Sequence, residues 1–139
     1  LSEQQYIGRG EEIVKEILQR IFPSCVIYSQ QPIKKLINKS DFDILDSEVQ
    51  KHKFDFAVDW PQQMRTLIVE VNYKHKEKAA KKWNDIFVPL LKKYFYIPVS
   101  IDDYDCENLF KLNSKNEHKL SLDDFIDVIN QLKKAGVKL

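Results

Sequence analysis

The chain has 139 residues, 43% hydrophobic and 31% charged, with a formal net charge of +1. That composition describes one globular domain with enough apolar side chains for a core, and it excludes a disordered or low-complexity chain. It also excludes a global basic field, so any electrostatic attraction to nucleic acid must come from a local patch. No apolar run approaches the roughly 18 residues of a membrane span, so no membrane partner is expected. Cys25 and Cys106 lack metal-ligand spacing and read as reduced thiols of a cytoplasmic protein. Beginning at Leu1 without a charged-then-apolar leader, the sequence reads as a processed chain or an excised domain rather than a secreted one.

Residues 1–8 show no periodicity and predict a short arm. From Gly10 a helix is expected, with Ile13, Val14, Ile17, Leu18, Ile21 and Phe22 on one stripe and Pro23 as its stop. Glu11 and Glu12 fall in its first turn, where the helix dipole favours acids. At about 100° per residue Glu11 lies beside the apolar stripe and Glu12 nearly opposite it. Cys25 to Ser29 predicts a first strand, followed by Gln30-Gln31-Pro32. In residues 33–51, Ile33, Leu36 and Ile37 predict a short amphipathic turn, and Asp41, Asp43, Asp46 and Glu48 a polar loop. Those acids lack the central glycine of a calcium loop.

Residues 54–75 predict a β-hairpin turning at Pro61-Gln62-Gln63. Strand parity puts Phe54, Phe56 and Val58 on one face and Asp55, Ala57 and Asp59 on the other. In the second strand Leu67, Val69, Val71 and Tyr73 oppose Ile68, Glu70 and Asn72. The hairpin thus brings Asp55 beside Glu70 among apolar neighbours. Two carboxylates so placed repel unless a divalent cation neutralises them. A solvated outer face accounts for such acids equally simply, but Glu70 interrupts an otherwise apolar central strand and needs a partner. His52, just before the first strand, reads as a solvated edge residue.

Lys74, His75, Lys76, Lys78, Lys81 and Lys82 form the one concentrated basic run, suited either to phosphates or to a solvated helix face. Ala79, Trp83, Ile86, Phe87, Leu90, Leu91 and Tyr94 follow at helical spacing as core, and Pro89 should kink or split that helix. Tyr96 to Ile101 predicts another strand, with Pro98 favouring an edge. Asp102, Asp103 and Asp105 predict a turn, Leu109-Phe110-Leu112 a short helical piece and residues 113–119 a polar loop. A last helix is expected over 121–135, capped by Ser121 and ended by Gly136.

Asp55 on one strand and Glu70-Val71-Asn72 on the next resemble the core of the PD-(D/E)XK nuclease superfamily, specifically its very-short-patch-repair-like endonuclease branch. The similarity spans about Gly8 to Ile101, and the order helix, strand, hairpin, helix, strand adds to it. The resemblance implies a single α/β domain over 1–139, with a restriction-endonuclease-like mixed central β-sheet flanked by α-helices. It implies an Mg²⁺- or Mn²⁺-dependent hydrolase of DNA phosphodiester bonds, with Asp55, Glu70 and the Val71 carbonyl as metal ligands. A helix-one Glu three residues before a hydrophobic residue and seven before a Leu belongs to the pattern, and Glu11 matches it with Val14 and Leu18. Where the superfamily usually has Lys two residues after the Glu, this chain has Asn72, which orients water but carries no charge. Lys74 and His75 are the candidate compensating groups, and Lys74, Lys76, Lys78, Lys81 and Lys82 the candidate DNA contacts. A homodimer or a larger multidomain protein is compatible with this reading. Two alternatives stand beside it: the same fold without catalysis, binding nucleic acid or assembling with a larger complex, and a protein-interaction domain in which Lys74 or Arg65 pairs Glu70.

Overall fold

A near-continuous run of branched side chains makes Leu67 to Val71 a strand with two different buried faces, and the molecule is layered about it. The computed structural model describes residues 2–72, 77–102 and 122–139. Its elements are α1 (Ser2–Ile21), β1 (Val26–Pro32), α2 (Lys39–Asp43), α3 (Ser47–Gln50), β2 (Lys53–Trp60), β3 (Arg65–Asn72), α4 (Glu77–Lys82), α5 (Val88–Lys93), β4 (Ile97–Asp102) and α6 (Leu122–Lys134). The strands form one mixed sheet in the order β1-β2-β3-β4. β1 and β3 run antiparallel to β2, and β4 is parallel to β3. The expected mixed α/β sheet flanked by helices is therefore present.

One face carries Phe56, Val58, Leu67, Val69, Val71, Val99 and Ile101, packed with Val14, Ile17 and Leu18 of α1 and Val128 and Leu132 of α6. The other carries Ala57 and Ile68, packed with Ile33, Val49, Trp83, Phe87 and Leu91. Each such side chain, fully buried, contributes about 1.5–3 kcal/mol, so β2 and β3 are held from both sides. Among the described residues no helix is long and apolar enough to cross a membrane.

Three expectations are corrected here. α1 begins at Ser2, so residues 2–8 of the expected arm are helical. Glu3, Gln4 and Gln5 are good helix formers, and a glycine in a helix costs only about 1 kcal/mol, less than extension from an anchored segment can recover. The polar loop expected at 41–48 holds two short helices whose caps are the polar residues themselves. Asn38 accepts from Asp41 N–H, and Asp46 from Glu48 and Val49 N–H. Asp41 accepts hydrogen bonds from Lys93 and the Tyr94 hydroxyl, tying this corner to α5. Third, Phe54 leaves the side of Phe56 and Val58 and packs with Trp83 and Phe87.

The split expected at Pro89 is present. A π-helical turn, Trp83–Phe87, separates α4 from α5, and Pro89 sits in the first turn of α5, where its missing N–H costs nothing. Asp102, expected in the turn, instead ends β4 opposite Asn72; the rest of that turn, the helical piece and the loop expected over 103–119, and the Ser121 cap, lie outside the described residues.

α6 ends in a glycine turn: Val137 N–H bonds the Leu132 carbonyl at 3.0 Å and Gly136 N–H the Lys133 carbonyl at 3.0 Å. Gly136 has φ 96, which side-chain-bearing residues rarely adopt, and a Cβ there would meet nothing within 4 Å. Gly136→Ala is therefore expected to cost about 1–2 kcal/mol through backbone strain alone, measurable by denaturant unfolding with an unchanged m-value.

Candidate functional site

The site is made where the central hairpin comes apart. The β2–β3 ladder runs from Trp60 opposite Arg65 to Phe56 opposite Val69. β2 keeps its pairing with β1 as far as Lys53 opposite Pro32, and β3 its pairing with β4 as far as Asn72 opposite Asp102. The sheet thus forks between β2 and β3. Gln30 of β1, between the residues paired with Phe56 and Phe54, has φ 53. The alternation of side chains is thus broken on β1 opposite the place where Phe54 changes sides on β2.

Across the fork, side chains replace the ladder. The N–H of Asp55 donates to Glu70 Oε1 at 3.2 Å, and the N–H of Val71 donates to Asp55 Oδ2 at 2.7 Å. Each carboxylate satisfies a backbone donor of the opposite strand, so the expected adjacency of Asp55 and Glu70 is present. Asp55, Glu70 and Asn72 are each only 8% exposed. Burial, and then the negative charge of Glu70, push the Asp55 carboxyl up to about 7, against the pull of the Val71 N–H. Neither carboxylate has a lysine or arginine partner among the described residues.

Two further groups close the site from opposite layers. Glu11 of α1, half-buried, hydrogen-bonds the Asp55 carboxyl, whereas Glu12 is exposed, as the helical parity implied. From the other layer His52 Nε2 lies 2.6 Å from Glu70 Oε2. Its ring stacks 4.3 Å from Phe87 and meets Phe54 edge-on at 4.7 Å. Its backbone is pinned by its own N–H to the Val49 carbonyl at 3.1 Å and by its carbonyl to the Ile33 N–H at 3.0 Å. The reading of His52 as a solvated edge residue is corrected: it is the partner of Glu70. The only signal in the sequence was its place just before Asp55. Arg65, which the sequence offered as a partner for Glu70, instead donates its Nε to the Phe95 carbonyl at 3.1 Å, at the far end of β3.

Asn72 donates its amide to Ser100 Oγ at 2.7 Å, which leaves its oxygen as the available group. Val71 buries its side chain among the α1-facing residues, and its N–H serves Asp55. Lys78 and Lys81 are exposed on α4, and Lys82 is half-buried, with Nζ 3.9 Å from Glu48 Oε2. Lys74, His75 and Lys76 lie outside the described residues.

Among the described residues no three or more His, Cys, Asp or Glu side chains form a ready ligand set. What the fork offers a cation is two buried carboxylates, without a Lys or Arg partner among the described residues, plus backbone and water oxygens. That donor set fits a hard divalent ion, which would relieve the repulsion that raises Asp55. No family model matches the chain, and neither a curated protein nor a solved structure matches it.

The raised Asp55 carboxyl sets a pH dependence. Its protonated form is favoured by folding, so its contribution is fully present below about pH 4, the unfolded value, and is lost as pH rises through about 7. Without divalent ions the parent should therefore lose stability relative to Asp55→Asn across that window. The gap should reach the order of a few kcal/mol by pH 8. Denaturant unfolding of both proteins in chelator from pH 4 to 8 measures it, and parallel curves would contradict the burial argument. His52→Ala should cost about 2–4 kcal/mol, from the broken bond to Glu70 and the emptied space against Phe87, with His52→Gln intermediate by the same assay.

Proposed function

We propose that the chain is a metal-dependent DNA endonuclease of restriction-endonuclease-like fold, hydrolysing phosphodiester bonds. The observation that carries this reading is the fork: two buried carboxylates on adjacent strands, with no Lys or Arg partner among the described residues and with Asp55 pushed up to about 7. Such an arrangement is costly as structure alone and useful as a cation site. Asp55, Glu70 and the Val71 carbonyl would hold Mg²⁺ or Mn²⁺, which when bound supplies Lewis acidity and a water of lowered pKa.

The chain's own residues do the rest. His52, wedged on Phe87 and Phe54, fixes the Glu70 carboxylate in one orientation. Glu11 steadies Asp55 from the α1 side. Asn72, its amide held by Ser100, presents an oxygen that accepts a hydrogen bond from the attacking water and so orients it, without charge or titration. Lys74 and His75 are proposed to supply the missing charge and a proton acceptor or donor. Lys76, Lys78, Lys81 and Lys82 are proposed to meet backbone phosphates.

One observation favours a second reading. The usual lysine position is occupied by Asn72, whose amide is already committed to Ser100. A chain that kept the fold but lost hydrolysis, binding nucleic acid or joining a larger assembly, would have such an arrangement.

Cleavage assays with Mg²⁺ and Mn²⁺ on duplex, branched and single-stranded DNA separate the two. The endonuclease reading expects cutting that Asp55→Ala and Glu70→Ala abolish and that Asn72→Ala slows roughly 10- to 1,000-fold, the range of a positioning or proton-transfer group. Binding without cutting on every substrate selects the second reading. Gain of cutting in Asn72→Lys would then identify the missing charge as the cause.

A further inference from the structure

The end of the sheet away from the fork carries two turns whose residues the fold alone does not call for. Met64 closes the 3-10 turn Pro61–Gln63 with φ 51, its N–H on the Pro61 carbonyl at 3.0 Å. Phe95 follows α5 with φ 63, its N–H on the Lys92 carbonyl at 3.0 Å and the Tyr96 N–H on the Leu91 carbonyl at 3.1 Å. α6 closes with the same pair of bonds, and there Gly136 takes the left-handed position, as the residue that does so without strain. At Met64 and Phe95 a large apolar side chain stands in that conformation, 91% and 80% exposed. Neither the backbone nor the core gains from this choice.

The two turns form one surface. Leu67 pairs with Ile97, so the turns leading into β3 and β4 are neighbours, and Arg65 Nε joins them by donating to the Phe95 carbonyl at 3.1 Å. Val26, also exposed, begins β1 at the same end, opposite Asp59. Two charges narrow what covers this surface. Arg65 stands opposite Trp60, which packs in the α1 layer, while Asp59 shares the strand parity of Ala57, which packs in the other layer. The two therefore lie on opposite faces of the sheet. Both are exposed, and neither has an ion-pair partner among the described residues. A two-fold axis in the plane of the sheet, across the strand ends, exchanges the faces. It sets Met64 and Phe95 against the same residues of a second copy, and brings Arg65 of each copy to the side where the other carries Asp59. A second copy has this complementarity by symmetry. A net charge of +1 does little to hold two copies apart.

From this placement we infer that the end of the sheet opposite the fork is a self-association surface. Two copies of the chain pair on it about a two-fold axis, through Met64, Phe95 and reciprocal Arg65–Asp59 ion pairs. The surface is small, so the pairing is reversible, with a Kd on the order of 10–100 µM. Both forks lie at the outer ends of the pair, and the pairing does not depend on what they do.

Sedimentation equilibrium of the purified chain, without DNA and in chelator, tests it from about 5 to about 500 µM, a range that brackets the expected Kd. The average mass of the parent should rise from one chain toward two. Met64→Asn combined with Phe95→Asn should weaken the association at least about tenfold, as loss of the central apolar contacts does. The same variant should unfold at or above the parent's thermal midpoint at the lowest concentration, because asparagine tolerates the left-handed conformation. Asp59→Lys and Arg65→Glu should each weaken the association, and the two together should restore it toward the parent. Thermal unfolding of these variants checks that each is folded, as the exposure of both side chains leads us to expect. A parent that stays monomeric at the highest concentration, or an association indifferent to Met64 and Phe95, overturns the surface. A clearly lowered midpoint in the asparagine variant overturns it too, since the two side chains then serve the fold itself. Charge reversals whose losses add, without restoration, overturn the two-fold arrangement.

Discussion

Two carboxyl groups share a buried gap between neighbouring strands, and much of the surrounding structure accommodates them. Asp55 and Glu70 stand where the β2–β3 ladder ends, each accepting the N–H of the other strand. These bonds compensate the backbone for its missing ladder partners, yet they leave the mutual repulsion that, with burial, lifts Asp55 to about 7. His52 and Glu11 reach the pair from opposite layers, so both helical layers of the fold converge on one gap. The layers are held by apolar burial on each face of β2 and β3.

How this arrangement was encoded is uneven. The near-continuous apolar run of Leu67 to Val71 made β3 and the anomaly of Glu70 readable, and strand parity assigned its two faces, because both are buried and each residue had one place to go. Glu11 was distinguishable from Glu12 because helical spacing from Val14 and Leu18 put only one of them beside the sheet. Pro89 announced the interruption before α5 through its missing N–H. Those signals are local and periodic, and they survived folding.

What was not readable depends on tertiary context. Phe54 fits the alternation of Phe56 and Val58, yet it lies on the other face, where the ladder forks and Gln30 is left-handed. His52 carries no spacing to any other candidate residue. Its role exists because α3, the turn at Ile33 and the ring of Phe87 fix its backbone and imidazole. The acids at 41–48 looked like loop polarity and proved to be helix caps and a clamp on α5, since short polar side chains serve either purpose until their neighbours are known.

The central claim is that the fork is a divalent-cation site, and Mn²⁺ binding tests it without reference to any substrate. Titration of the purified chain at pH 8, followed by calorimetry and by electron paramagnetic resonance of free Mn²⁺, should show one site competed by Mg²⁺. It should vanish in Glu70→Gln and in Asp55→Asn, while Asp59→Asn, an exposed acid of the same strand, leaves it intact. Absence of that site in the parent, or its survival in both fork variants, would contradict the account.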